Sequence, residues 1–208
     1  MDEQDQETKR IARLRELLIL DSEPEPVFDS IVALASEVCG APIALVSLVD
    51  TERQWFKAGV GLPGVQETPR DVAFCAYAIA DDVLFEVPDA ALDPRFVDNP
   101  LVTGDPDIRF YAGAPLVLPG GERVGTLCVI DRVARRLDES QKKTLRALAR
   151  IATDALIGRR ELIQRAVSVR GQFEQALADK DSQYRNICLL YTSPSPRDRT
   201  RSRMPSSA

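Results

Sequence analysis

The side chains able to do chemistry are few and unevenly placed. The chain has no histidine. That removes a phosphoacceptor His, a Ser-His-Asp triad, and haem or zinc held by imidazole. Apart from Cys188 in the C-terminal tail, the cysteines, Cys39, Cys75 and Cys128, are scattered, with no Cys-x-x-Cys spacing to hold zinc or an iron–sulfur cluster. Cys75 has two readings. It is either a reactive thiol, activated if Arg70 lies close, or a small buried hydrophobe, which is how free cysteine usually behaves. The better ligand candidates are polar: Arg95 and Arg109 flank a long loop, with Asp89 and Asp107 placed to pair with them or to bind a ligand. An arginine fork suits carboxylate or phosphate. Phe74, Tyr77, Phe96, Phe110 and Tyr111 supply aromatic walls of the kind that line small-molecule pockets. The competing reading makes these rings core and the Arg–Asp pairs loop pins. Gly59, Gly61 and Gly64 precede no helix in a phosphate-cradling context. No catalytic residue, metal ligand or cofactor is assigned.

The elements that must position these residues alternate. Ile11, Leu14, Leu17 and Leu18 predict a helix over 8–20, ended by the proline-rich run 21–26. Phe28, Ile31, Val32, Leu34, Ala35 and Val38 predict a second, stopped by Gly40. Residues 42–50 are almost wholly apolar, as in a central strand covered on both faces, and 53–60 should form a hairpin with them. A short helix over 69–80, a third strand over 84–89 and a long, partly structured loop from Asp93 to Asp107 follow. Residues 110–118 and 123–130 make a second hairpin across Pro119-Gly-Gly121. Tight turns between strands mean an antiparallel sheet, so the fold class is α+β, with five to six strands flanked by helices.

From Asp138 the pattern is helical. Leu145, Leu148, Ala152, Ala155, Arg159, Leu162, Ala166, Val169, Phe173 and Ala176 alternate at spacings of three and four, the seam of a coiled coil. A homodimer is expected, with Ala and Arg making the coil weak; the alternative is a single helix that packs its first half on the domain. Residues 188–208 back-translate to a sequencing-library adapter and are set aside as an artefact expected to be disordered, the natural sequence ending by truncation at Ile187. That tail carries a net +3, which leaves −8 on residues 1–187 against −5 for the whole chain. An acidic chain without a basic stripe argues against nucleic acid or an anionic membrane as partner. The polar start is no signal peptide, no apolar run spans a bilayer, and unpaired cysteines suit a reducing compartment, so the expected location is cytoplasmic.

Three blocks carry a family resemblance: Thr68-Pro-Arg-Asp-Val-Ala-Phe-Cys-Ala-Tyr-Ala-Ile79, Ile108-Arg-Phe-Tyr-Ala-Gly-Ala-Pro-Leu116 and Gly125-Thr-Leu-Cys-Val-Ile-Asp131. In this order they resemble the GAF family of small-molecule sensor domains at the front of bacterial signalling proteins. The resemblance implies residues 1–22 as an N-terminal helix, 23–157 as the sensor domain and 158–187 as a signalling helix. It implies a regulatory domain that binds a small ligand or dimerises and signals through the coil. The implied parent is a two-component sensor histidine kinase, with a diguanylate cyclase second. Residues 181–187 resemble the start of a PAS domain. Tyr77 stands where the family commonly has His, Ala76 follows Cys75 where bilin-binding members place His, and the Asn-Lys…Phe…Asp-Glu pattern of cyclic-nucleotide binders is absent. Two rivals stand beside the sensor. One is a GAF-fold methionine sulfoxide reductase using Cys75, which lacks a resolving cysteine nearby in sequence. The other is a ligand-free dimerisation module.

Overall fold

The computed structural model describes the backbone of residues 3–192 and the side chains of residues 4–186. Helix α1 (Glu3–Glu16) and helix α2 (Pro26–Cys39) precede strands β1 (Ile43–Val49), β2 (Arg53–Val60) and β3 (Glu67–Pro69). A 3-10 turn (Arg70–Val72), helix α3 (Phe74–Ala78), strand β4 (Phe85–Val87), helix α4 (Pro100–Thr103), strands β5 (Phe110–Val117) and β6 (Arg123–Asp131), and helix α5 (Glu139–Thr192) complete the order. The six strands form one sheet in the order β3-β2-β1-β6-β5-β4, every pair antiparallel. This is the α+β architecture the two hairpins predict.

Strand periodicity divides the interior in two. Ala44, Val46 and Leu48 of β1, with Leu127 and Val129 of β6, face α1, α2 and the first turns of α5. Ile43, Leu45 and Val49, with Cys128 and Ile130, face α3, α4 and their loops. β1 is buried at all seven positions, as its unbroken apolar run requires. Helix α2 stops where it should: Gly40 takes φ 60°, and its N–H and that of Ala41 satisfy the Glu37 and Ser36 carbonyls.

A bulge interrupts β1–β2. Val46 faces Ala58 and Ser47 faces Phe56, so Lys57 is the extra residue. Its side chain is fully buried over the Phe28 ring, and Nζ donates to Ser22 Oγ at 2.9 Å, the Glu23 carbonyl at 2.6 Å and Glu25 Oε1 at 2.7 Å. Glu25 also accepts from Arg159 Nε of α5 at 2.6 Å. Burial opposes ionisation of this carboxyl, but the bonds from Lys57 and Arg159 hold it below its ordinary range.

Three expectations need correction. α1 ends at Glu16, not residue 20: Leu18 and Asp21 take positive φ, and Leu17 and Ile19 are buried from a turn rather than a helix face. The stretch 69–80 is not one helix but a strand end, a 3-10 turn and the five-residue α3, and the strand over 84–89 is the fourth in order. The loop expected to be partly structured holds the four-residue α4, in agreement. Most consequential, the first half of the seam is not free for a partner. Leu145, Leu148 and Ala152 are buried in the domain's own core, with Ala155 packed against it. Arg159 is held by Glu25 and by the Leu18 carbonyl at 2.6 Å. The sheet presents an apolar face that the helix covers, and a three-four spacing serves that contact as well as it serves a coil.

Contacts divide the chain into a unit ending at Glu161 and a second beginning at Leu162. In the second, Leu162, Val169 and Phe173 are each about two-thirds exposed, and Ala166 is exposed. Residues 193–208 lie outside the described residues, as do the side chains of 188–192, so the expectation for the tail falls largely beyond them.

Candidate functional site

A 230 Å³ cavity lies on the face of the sheet opposite α5. Its walls come from most elements of that face: Leu45 of β1, Gln54 and Phe56 of β2, Thr68 of β3, Phe74 and Cys75 of α3, Tyr111 of β5 and Ile130 of β6, with Leu101, Asp105 and Ile108 from the segment around α4. The lining is mainly apolar and aromatic, as in small-ligand sites, and the volume is below the ~300–1,000 Å³ usual for drug-sized ligands. Two buried polar atoms on these walls, Gln54 Oε1 and Thr68 Oγ1, have no hydrogen-bond partner. They belong to residues directly opposite one another across β2–β3. An unsatisfied buried acceptor costs ~1–3 kcal/mol.

Cys75 closes one side of the cavity. It is 1% exposed, yet its sulfur sits in a polar nest: Thr126 Oγ1 donates to it at 3.0 Å and the Tyr111 hydroxyl at 3.2 Å, and Cys128 Sγ lies 4.0 Å away. Ser47, paired with Thr126 across the sheet, has a fully buried hydroxyl with no hydrogen-bond partner. Burial opposes ionisation of Cys75, but the bonds from Cys128, Thr126 and Tyr111 outweigh it, and the thiol is lowered to about 7. Cys128 moves the other way, held protonated by its bond to Cys75 and by burial. Tyr111 reaches the thiol because residue 113 is glycine: a Cβ there would strike the tyrosine hydroxyl. Cys39, at the end of α2, is pushed up by burial and stands apart.

Of the residues singled out by sequence, the structure brings Phe74, Cys75 and Tyr111 to the cavity. Phe96 stands behind them, stacked on Phe74 at 4.1 Å between centroids. Tyr77 meets Phe96 edge-on at 4.9 Å but is 45% exposed, on the outside of the cluster. Phe110 is a correction: it alternates with Tyr111 and points into the opposite core. The charged candidates are loop pins. Asp89 caps the Ala91 N–H at 3.0 Å. Arg95 pairs with Asp93 at 2.5 Å and lies over the Phe85 and Phe96 rings. Arg109 pairs with Asp107 at 2.6 Å and donates to the Val102 carbonyl at 2.9 Å. Sequence reading missed Gln54, Thr68, Ser47, Thr126 and the Cys128 contact. Thr126 and Cys128 stand two apart in one strand, hence on one face, which was the available signal.

The sheet order, the position of the cavity and the matched residues now converge. The GAF domain family matches residues 23–156. The chain belongs to that family. A cyclic di-GMP phosphodiesterase of Pseudomonas aeruginosa is 41% identical over 201 residues, which cover 89% of this chain and 34% of the relative. The chain thus spans about a third of the curated relative it matches. Among solved structures, the GAF domain of an Acinetobacter phosphoenolpyruvate-protein phosphotransferase is 15% identical over 76% of this chain and 95% of its own, with a TM-score of 0.54. The free methionine-R-sulfoxide reductase of Neisseria meningitidis, solved with its substrate, is 19% identical over 78% and 95%, also at 0.54. At these identities the structures share the fold alone. The GAF domain is a sensor module of signalling proteins, and no described helix is long and apolar enough to cross a membrane.

Proposed function

We propose that this GAF domain senses a small, mostly apolar molecule carrying at least one N–H or O–H donor, and signals its occupancy to an output domain through α5. The observation that carries this is the pair of orphan atoms, Gln54 Oε1 and Thr68 Oγ1, on residues that line a mainly apolar cavity. A ligand donor at that point would remove the cost of leaving them unmet. The similarity to a cyclic di-GMP phosphodiesterase favours a cyclic di-GMP-hydrolysing output over the histidine kinase that sequence alone put first. The fragment itself then acts as a cytoplasmic regulatory domain and not as an enzyme.

A route from pocket to helix runs along β2. Gln54 and Phe56 line the cavity, and the next residue, Lys57, holds the Glu25 carboxylate that holds Arg159 of α5. A shift of β2 on binding would therefore be felt at α5 through two charge-assisted bonds. Beyond Glu161 the seam shortens to Leu162, Ala166, Val169 and Phe173, and its occupant is a second copy of this chain, since one helix cannot bury its own stripe.

Thermal shift against a library of metabolites of about this volume is the test. A ligand at 100 times its Kd should add ~2.7 kcal/mol, and Gln54→Leu should abolish that gain while keeping the fold. A hit that binds Gln54→Leu equally well would overturn the site. Sedimentation of the chain beside a form ending at Glu161 tests the coil: a monomer in both cases at tens of micromolar would remove it.

A further inference from the structure

The cavity's ligand reading leaves one feature unused, two buried thiols facing each other. Cys75 comes from α3 and Cys128 from β6, 53 residues apart, and their sulfurs are 4.0 Å from one another. Two ordinary core cysteines have no need of hydroxyl donors, yet Tyr111 and Thr126 both aim theirs at the Cys75 sulfur. A nest of donors stabilises a thiolate, the form that reacts. Cys75 also lines the cavity, so a molecule of two heavy atoms entering there meets it directly, while Cys128 lies behind.

We propose that Cys75 and Cys128 form a peroxide-responsive disulfide that makes the pocket of this domain redox-sensitive. The oxidant is hydrogen peroxide. The Cys75 thiolate attacks one peroxide oxygen, the O–O bond breaks and hydroxide leaves, to be protonated as water, which gives Cys75 sulfenic acid. The Cys128 sulfur then attacks the Cys75 sulfur, loses its proton, and the sulfenic oxygen departs as a second water. Two thiols are oxidised by two electrons, and one peroxide is reduced to two waters. The first step prepares the second. The chief cause holding the Cys128 proton is its bond to Cys75, and that bond is lost once Cys75 is oxidised.

The sulfurs must close from 4.0 Å to the ~2.05 Å of a disulfide. α3 is the mobile party, since it is five residues long while β6 is central in the sheet. Its neighbour Phe74 stacks on both Phe96 and Tyr111 and lines the cavity, so drawing Cys75 towards β6 reshapes the pocket. The Tyr111 and Thr126 hydroxyls lose their thiolate acceptor in the same step. This inference stands apart from the ligand reading, because it requires oxidant to enter but no ligand to bind.

The test uses the full reduced chain, exposed to peroxide while folded, then alkylated under denaturing conditions, digested with trypsin and weighed. The expected product joins peptide 71–95 to peptide 124–132, with Cys39 still alkylated. Cys128→Ala should abolish the link and leave Cys75 as a sulfenic acid trapped by dimedone. Thr126→Val, which keeps the shape and removes one donor, should slow linkage several-fold without altering the thermal midpoint of the reduced protein. The proposal is overturned if Cys75 reacts no faster than Cys39. It is equally overturned if Cys75 oxidises without joining Cys128, or if the link forms only in unfolded chain. The wild-type peptide map decides even if a variant fails to fold.

Discussion

Replacing Lys57 by Met tests whether the bulge of β2 is a structural junction. Met keeps the apolar stem over Phe28 and removes the ammonium, which is fully buried. Three acceptors then lose a donor: Ser22 Oγ, the Glu23 carbonyl and Glu25 Oε1. Breaking a fully buried ion pair from one side costs ~3–5 kcal/mol, because the other charge is stranded. Here the stranded Glu25 side chain is 32% exposed and keeps Arg159 Nε at 2.6 Å, so the cost falls to about 2–3 kcal/mol. For a domain of this size, that lowers the thermal midpoint by about 4–12 °C. Trp55, the single tryptophan, is 6% exposed and two residues away, so urea unfolding by its fluorescence reports the change. A double-mutant cycle with Glu25→Gln should show a coupling of about 0.5–3 kcal/mol. Were Lys57→Met as stable as wild type, or the two changes additive, the junction would not hold the connection between α1 and α2, and the route to α5 would fail with it.

Leu127→Ala should cost about 2–5 kcal/mol in the same assay, because Leu127 is fully buried between Val46 and Ala114 and the rigid sheet cannot collapse onto the space. Glu7, held to about 2 from its ordinary 4.5 chiefly by Arg10 and also by Arg70, ties α1 to the segment before α3. A lowered carboxyl stabilises fully above 4.5 and ceases to as pH falls through 2; Glu7→Gln should therefore weaken the fold at pH 7 and flatten its acid dependence, seen as urea midpoints at pH 7, 4 and 2.5. The rate of Cys75 oxidation should rise through pH ~7 and level off above it, since the titratable groups facing it, Tyr111 on β5 and Cys128 on β6, both keep their protons there; a rate flat from pH 6 to 9 would mean the thiolate is not the reacting form.

What sequence made legible was local. The unbroken apolar run of β1, the turn at residues 119–121 and the left-handed cap at Gly40 each follow from a few neighbouring residues, and the structure has all three. β3 was invisible because Glu67-Thr68-Pro69 has one partly buried residue and a proline, so no period can show. The pocket was half legible. Phe74, Cys75 and Tyr111 sit in motif blocks, whereas Gln54 and Thr68 matter only because they end up unpartnered, a property of the folded wall rather than of either residue. The charged residues misled for a related reason: each of these loop arginines is paired with an acid two positions away, Arg95 with Asp93 and Arg109 with Asp107, so neither is left for a ligand.

The seam shows most clearly how one pattern can satisfy two contacts. From Leu145 to Phe173 the three-four spacing never changes, yet its first part is core and its last part is exposed. Arg159 marks the change. In a coil, a charge at the seam would be a weak point, and Leu would strengthen the pairing. Here Arg159 is the last seam residue tied to the domain, bonded to Glu25 and to the Leu18 carbonyl. Arg159→Leu therefore loosens α5 from the domain. The residue that resembled a flaw in a dimer instead ties α5 to Glu25 and to the turn after α1. The exposed part of the seam begins three residues later, at Leu162, which is 67% exposed.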